Sequence, residues 1–178
     1  MSNLARKIAT APPEVNVDMS TWLVPDAIDL KSIPATSHVR RLGELHQRLT
    51  AKCEKGRLPD LDQFVQMTEG DAMDFCTVLV PVAAEAVLDF VVLRRGVKLP
   101  GSLGVFRPGE RYSEHIVAHF LNGRLIEFCS SLVLKSARFT FGNSARPGAL
   151  NIQVYRAILP LWFSAIQKHG IILCVAPV

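Results

Sequence analysis

The sequence predicts an α+β fold in which helices cover an antiparallel sheet. Hydrophobic residues make up 49% of the 178 residues and charged residues 20%, which is the balance of a globular domain. The last stretch, residues 151–178, holds two runs rich in β-branched, aromatic and aliphatic residues, at 152–163 and 171–176. A polar loop at 167–170 separates them, and this pattern is typical of a long antiparallel hairpin. A helical period earlier in the chain predicts the cover for that hairpin.

Alternation along the first run predicts which of its side chains face a core. If Arg156 faces water, the period of two directs every second side chain from residue 155 to residue 163 inward. Pro160 has no amide hydrogen to donate. We therefore expect the sheet to leave that position unpaired, either at a bulge or beyond the end of a neighbouring strand.

Residues 1–37 are predicted to form an N-terminal arm that precedes the domain at 38–178. The arm contains four prolines and few periodic apolar positions, so we expect it to be extended and partly disordered.

No apolar window reaches the length of a membrane span, and the N-terminus lacks the apolar segment of a secretory signal. These features predict a cytoplasmic protein with no membrane partner. A net charge of +4 is too small to indicate nucleic-acid binding.

A leading amphipathic helix is predicted at residues 38–55, with Ser37 as its N-cap and Gly56 just past its end. Its apolar residues recur at spacings of three and four. The stripe formed by Leu42, Leu45 and Leu49 has two interpretations: an interface with a second subunit or partner, or a cover for the chain's own sheet. Periodicity alone does not choose between them.

The middle of the chain predicts the remaining elements. Residues 61–67 suggest a helical turn, and the β-branched runs at 75–82 and 87–96 indicate two adjacent antiparallel strands. A short helix over 111–123 is expected to close at Asn122-Gly123, and a second helix to run from Leu125 to about residue 135 or 137. Residues 139–142 suggest a short strand before the closing hairpin.

Three segments carry a resemblance to a known family: GRLP at 56–59, DFVVLRRG at 89–96 and YRAILPL at 155–161. Together with the order of elements, they resemble a PAS domain, in particular the short stand-alone PAS-like proteins of alphaproteobacteria. The likeness spans about residues 38–178. It implies a PAS-like five-stranded antiparallel sheet covered by short helices and preceded by the amphipathic helix.

The resemblance also implies a role. Such a protein is a small sensory or regulatory module for signalling, which binds a protein partner or forms a homodimer, with or without a small apolar ligand between sheet and helices. Seven residues are candidates for lining that ligand pocket: Phe90, Val92, Phe120, Phe128, Tyr155, Leu159 and Leu161. The competing interpretation is that they fill the core, because native interiors contain few voids.

The sequence contains no motif that requires a cofactor. His115 and His119 are four residues apart and would share a helix face, but no third metal ligand accompanies them. The four cysteines are widely spaced and are expected to be reduced. No nucleotide-binding or nucleophile motif occurs, so no catalytic residue is assigned.

The alternative function is a small α+β-barrel enzyme with a pocket near Tyr155 and His119, which requires those two side chains to lie on one side of the sheet.

Overall fold

The computed structural model describes residues 26–84, 87–99, 106–144 and 151–178. The helices are α1 (His38–Thr50), α2 (Leu61–Gln66) and α3 (Ala118–Leu134). The strands are β1 (Asp26–Ala27), β2 (Cys76–Ala84), β3 (Val87–Arg95), β4 (Arg138–Asn143), β5 (Gln153–Phe163) and β6 (Lys168–Pro177). Short 3₁₀ turns lie at Leu30–Ser32, Ala72–Phe75, Tyr112–His115 and Ser164–Ile166. Most of the predicted N-terminal arm lies outside the described residues, but its last part contributes β1 and a 3₁₀ turn.

All strands belong to one antiparallel sheet with the order β1-β4-β5-β6-β2-β3. The five longer strands confirm the predicted α+β class, and β1 adds two residues at the edge of β4. The closing hairpin, β5 with β6, is paired from Val154 with Pro177 to Phe163 with Lys168 and occupies the middle of the sheet. Because β2 pairs with β6, the first hairpin of the domain is joined directly to the last.

Helices cover both faces of this sheet. Along β5, Ala157, Leu159 and Leu161 pack into a core with α1 and α2, which we call the α1-side core. Ile158 points the other way, into a second core with α3 and the residues that precede it, which we call the α3-side core. The structure therefore has three layers, and the hairpin is enclosed on both sides.

The premise that Arg156 faces water is wrong. Its neighbours Ala157 and Leu159 face the α1-side core as the period of two predicted, but Arg156 itself is only 4% exposed. The alternation correctly separated the two faces of β5. It did not reveal that α3 covers the second face and encloses the arginine.

Helix α1 begins where the sequence predicts. The Ser37 hydroxyl accepts a hydrogen bond from the amide of Val39 at 3.3 Å, which satisfies one of the free donors of the first turn. The helix ends at Thr50, earlier than predicted, and a turn leads to Gly56, whose φ of +82° suits glycine. The stripe Leu42, Leu45 and Leu49 is buried in the α1-side core. The chain's own sheet covers it.

Helix α3 is one continuous helix, whereas the sequence predicted two. It passes through Asn122-Gly123, where the break was expected, and ends at Lys135 in the left-handed conformation. Gly123 is buried within it. Packing of the helix on the sheet outweighs the modest cost of about 1 kcal/mol that an internal glycine imposes. The predicted first helix is instead the 3₁₀ turn Tyr112–His115, separated from α3 by extended backbone at Ile116.

The sheet accommodates Pro160 beyond the end of a neighbouring strand, as predicted. The pairing of β4 with β5 reaches only Ile158, so no strand faces the missing amide. The Pro160 carbonyl accepts a hydrogen bond from Nε2 of the buried His46 at 2.8 Å. Two residues later, the amide of Trp162 donates to the carbonyl of Pro59 at 2.9 Å. The turn after α1 thus hydrogen-bonds to the part of β5 that β4 does not reach.

The burial of the α1 stripe predicts that truncating one of its leucines to alanine destabilises the protein far more than truncating an exposed aliphatic residue of α3. Leu45 is 4% exposed, so Leu45→Ala should lower the free energy of unfolding by about 2–5 kcal/mol. Val133 in α3 is 79% exposed, and Val133→Ala should change it by less than about 0.5 kcal/mol. Urea denaturation followed by circular dichroism measures both. A Leu45→Ala protein as stable as the Val133→Ala control would show that the stripe does not pack on the sheet.

Candidate functional site

A cluster of charged side chains lies in the layer between α3 and strands β4 and β5. It consists of Arg124 and Glu127 from α3, Arg138 from β4 and Arg156 from β5, and we call it the arginine cluster. Arg124 is 3% exposed, Glu127 1% and Arg156 4%, and Arg138 is half-buried. Charged residues are seldom buried to this degree unless they are paired or bind something.

The backbone places these side chains together. Residues 124 and 127 are three apart in α3 and therefore share a helix face. In the β4–β5 register, Arg156 is opposite Thr140 and Arg138 is opposite Ile158. Opposite residues in an antiparallel pair lie on the same face, and Ile158 packs in the α3-side core. The strand arginines therefore point toward the helix that carries the other two charges.

Two of the arginines have clear partners. The Arg124 Nη1 donates to Oε2 of Glu127 at 2.9 Å, a buried ion pair within one helix. Arg156 donates to the carbonyl of Gly142 at 3.3 Å and to that of Asn143, and its Nη1 lies 3.5 Å from the Thr140 hydroxyl. Arg156 thereby fastens the end of β4 to β5.

Other atoms of the cluster are left without partners in the described part of the chain. Oε1 of Glu127 and Nε of Arg138 are buried and make no hydrogen bond there. The second buried carboxylate, Asp89, is bound instead to the Ser113 hydroxyl at 2.6 Å and to the amide of Phe90 at 2.7 Å. Leaving a buried polar group unsatisfied costs about 1–3 kcal/mol, and more when it is charged.

The cluster is electropositive. Three guanidinium groups surround one carboxylate. Burial lowers the pKa of Arg156 to about 9, with the like charge of Arg124 as the next cause, so Arg156 remains a cation at neutral pH. Burial raises the pKa of Glu127, although Arg124, Arg156 and Arg138 all oppose that change. Whether Glu127 is ionised or protonated, the four side chains carry net positive charge.

An aromatic wall borders the cluster. The ring of Phe128 meets those of Phe90 at 5.1 Å and Tyr112 at 4.8 Å, both edge-on. Tyr112 stacks on Phe106 at 5.5 Å. Phe128 directly follows Glu127 in α3, so the aromatic group and the charged group are carried by the same part of that helix. A site of this kind combines charge recognition with contact for an apolar body.

The residues predicted to line an apolar pocket lie on both faces of the sheet. Phe90, Val92, Phe120 and Phe128 belong to the α3-side core. The other three, Tyr155, Leu159 and Leu161, belong to the α1-side core. They do not line a common cavity. Five of the seven are fully buried and pack as core: Phe90, Val92, Phe128, Leu159 and Leu161.

The histidine pair does not form the predicted helical motif. His115 is in the 3₁₀ turn, with Nε2 2.8 Å from the Glu110 carboxylate, whereas His119 is in α3, which begins at Ala118. The side chain of His119 lies outside the described residues. Within the described ranges, no three His, Cys, Asp or Glu side chains are grouped to hold a metal ion. Tyr155 packs on the α1 side of the sheet, whereas α3, the helix that contains His119, packs on the other side.

Sequence reasoning missed most of the arginine cluster. Sequence patterns alone did not single out Arg124, Glu127 or Arg138, and an exposed Arg156 was a premise of the alternation rather than a prediction from it. The available indication was a pair of opposite charges three residues apart in a helical segment with no other Lys, Arg, Asp or Glu, followed by two strands that each carry one arginine. It becomes informative only when α3 is known to cover that face.

Searches with family models, against curated proteins and against solved structures find no match to the chain. In the part of the chain that the structure describes, no helix is both long enough and apolar enough to cross a membrane. Any assignment of function therefore depends on the chain's own residues.

Helices α3 and α1 each contain a glutamate–arginine ion pair, one buried and one exposed. Comparing them tests how much the buried pair contributes to the free energy of unfolding. Glu127→Gln removes the carboxylate that faces three buried or half-buried guanidinium groups, and should lower the free energy of unfolding by about 3–5 kcal/mol. Glu44, 49% exposed, pairs with Arg40 at 2.7 Å in α1, and Glu44→Gln should cost less than about 1 kcal/mol. Chemical denaturation of both variants measures the contrast. Equal losses would mean that the arginine cluster is open to water.

Proposed function

We propose that the chain is a PAS-like sensory module, which binds a small molecule between α3 and the sheet and transmits occupancy of that site to a partner protein or a second copy. The observation that carries the proposal is the arginine cluster. It is a buried, incompletely satisfied polar site in the layer between the sheet and its helical cover, where the PAS resemblance implies a ligand. A purely structural core has no need of such a site, because apolar side chains of similar volume are often at least as stabilising.

Two of the three segments that carry the resemblance also meet in space, which supports the proposal. The GRLP turn after α1 hydrogen-bonds to β5 through Pro59 and Trp162, directly after the YRAILPL segment. Asp60 continues this contact as a parallel bridge to Trp162. The chain order of two strands, helices and three strands on one antiparallel sheet fits the same resemblance.

Helix α3 provides a route from the ligand site to the surface. It carries Arg124 and Glu127 in its middle and ends beside the turn after α1, where the Lys135 ammonium donates to the carbonyl of Gly56. Val133 and Leu134, in its last turn, are largely exposed. A small displacement of α3 on ligand binding would therefore move both the turn at 56–59 and an exposed apolar pair. The partner surface lies outside the Leu42–Leu45–Leu49 stripe, since that stripe is covered.

Native mass spectrometry of the purified full chain tests this function. We expect a bound small molecule whose mass disappears when the protein is denatured. When the stripped protein is given that molecule again, amide hydrogen exchange should slow in α3 and in the turn at 56–59, and should change little in β2 and β3.

A protein that is purified empty, and whose thermal midpoint no metabolite of a broad panel raises, would contradict the sensory function. The panel should contain neutral, cationic and anionic compounds, so that the result does not depend on the class of ligand.

A further inference from the structure

We infer that the arginine cluster is a binding site for a small hydroxycarboxylate. This inference rests on the proposed function for the existence of a ligand and adds its chemical class. Three features of the cluster support it: its unbalanced positive charge, its two atoms without partners, and the kind of donor it presents.

The positive charge of the guanidinium groups exceeds the negative charge of Glu127, so the ligand is expected to be an anion. Arg124 and Arg156 are more than nine-tenths buried, and Glu127 is the carboxylate that the described structure places among them. Asp89 is occupied by Ser113 and the amide of Phe90. The stretch that follows β4, residues 145–150, contains no Asp or Glu. A bound anion would supply the missing charge and lower the cost of burying the guanidinium groups.

The two unpartnered atoms define what the anion must offer. Nε of Arg138 is a buried donor and requires an acceptor, which a carboxylate oxygen supplies through a charge-assisted hydrogen bond. Oε1 of Glu127 is a buried acceptor and requires a donor, which a hydroxyl group supplies. A ligand with a carboxylate and a neighbouring hydroxyl satisfies both. Its carbon skeleton would lie toward the aromatic wall at Phe128.

The donor set favours a carboxylate over a phosphate. Proteins commonly hold phosphate with backbone amides at a helix N-terminus or a glycine-rich loop. Here α3 presents its middle rather than its N-terminus, because Arg124 and Glu127 follow the first helical residue, Ala118, by more than one turn. The donors are guanidinium groups, whose paired N–H groups match the oxygens of carboxylates and phosphates alike. The preference for a carboxylate therefore rests on the position of α3, which does not present its N-terminal amides to the cluster.

Calorimetric titration of the stripped full-length protein tests the inference, with sodium malate, succinate and phosphate as probes at constant ionic strength. Malate should bind, and succinate, which lacks the hydroxyl, should bind on the order of tenfold more weakly because Oε1 of Glu127 stays unpaired. Phosphate should release no more heat than chloride does.

Two arginine variants locate the binding. Arg138→Met keeps an aliphatic stem on β4 but removes the donor, and should weaken malate binding on the order of tenfold to a hundredfold. Arg95→Met is the matched control, because Arg95 is a half-buried arginine on β3 whose Nε also lacks a partner, at the other end of the sheet order. It should bind malate as the natural chain does. Arg138→Gln is the second variant if circular dichroism shows that Arg138→Met does not fold.

Absence of binding by both malate and succinate would overturn the inference, as would phosphate binding tighter than either. Equal affinity for malate and succinate would overturn the hydroxyl contact with Glu127. An equal loss of affinity in Arg95→Met and Arg138→Met would show that binding occurs elsewhere. If a small molecule of another class is retained by the protein, the sensory function stands and the ligand class assigned here is wrong.

Discussion

The burial of both faces of the sheet is the constraint on which the rest of the structure depends. A sheet with one wet face would let every second residue of β5 meet water, and Arg156 would need no partner. Because α3 covers the second face, most polar groups there are expected to be satisfied by the protein or by something bound to it. The near-continuous apolar runs of β5 and β6 follow from the same enclosure, as does the occupation of the Pro160 carbonyl by the buried His46.

That constraint gives the arginine cluster its significance. A buried ion pair contributes little net stability, since desolvation offsets most of the attraction between its members. Here the imbalance is larger, because three guanidinium groups face one carboxylate. Arg156 has a structural role in holding β4 to β5, and Arg124 is paired with Glu127. Arg138 makes no such hydrogen bond in the described structure. What sets it apart from Arg95, whose Nε is also unpartnered, is that it belongs to the same cluster as the unpartnered Oε1 of Glu127.

Much of the fold follows from local patterns in the sequence. The N-cap of α1, both hairpins and the position of Pro160 were predicted because each depends on residues close in sequence or on period-two alternation. The helix α3 was divided into two because Asn122-Gly123 is a frequent terminator, and only packing on the sheet keeps the helix continuous. The partner of the Leu42–Leu45–Leu49 stripe was undetermined for a related reason: a period gives the apolar face of a helix and not what covers it.

The site was harder to predict than the fold. The pocket candidates were chosen because they are apolar. In the folded chain these residues lie on both faces of the sheet. The charged residues that do come together are separated in sequence by up to 32 positions, from Arg124 to Arg156, and only the β4–β5 register and the placement of α3 bring them together. Arginine is usually exposed, and residue type alone therefore gave no reason to place Arg156 in the interior.

A crystal structure of the full chain, purified without stripping and grown without added carboxylate, would settle whether the cluster is complete on its own. We expect electron density for a small anion within hydrogen-bond distance of Nε of Arg138 and Oε1 of Glu127. Density that shows both atoms bonded only to protein groups or ordered water, with no anion between α3 and β4, would contradict the assignment of the arginine cluster as a ligand site.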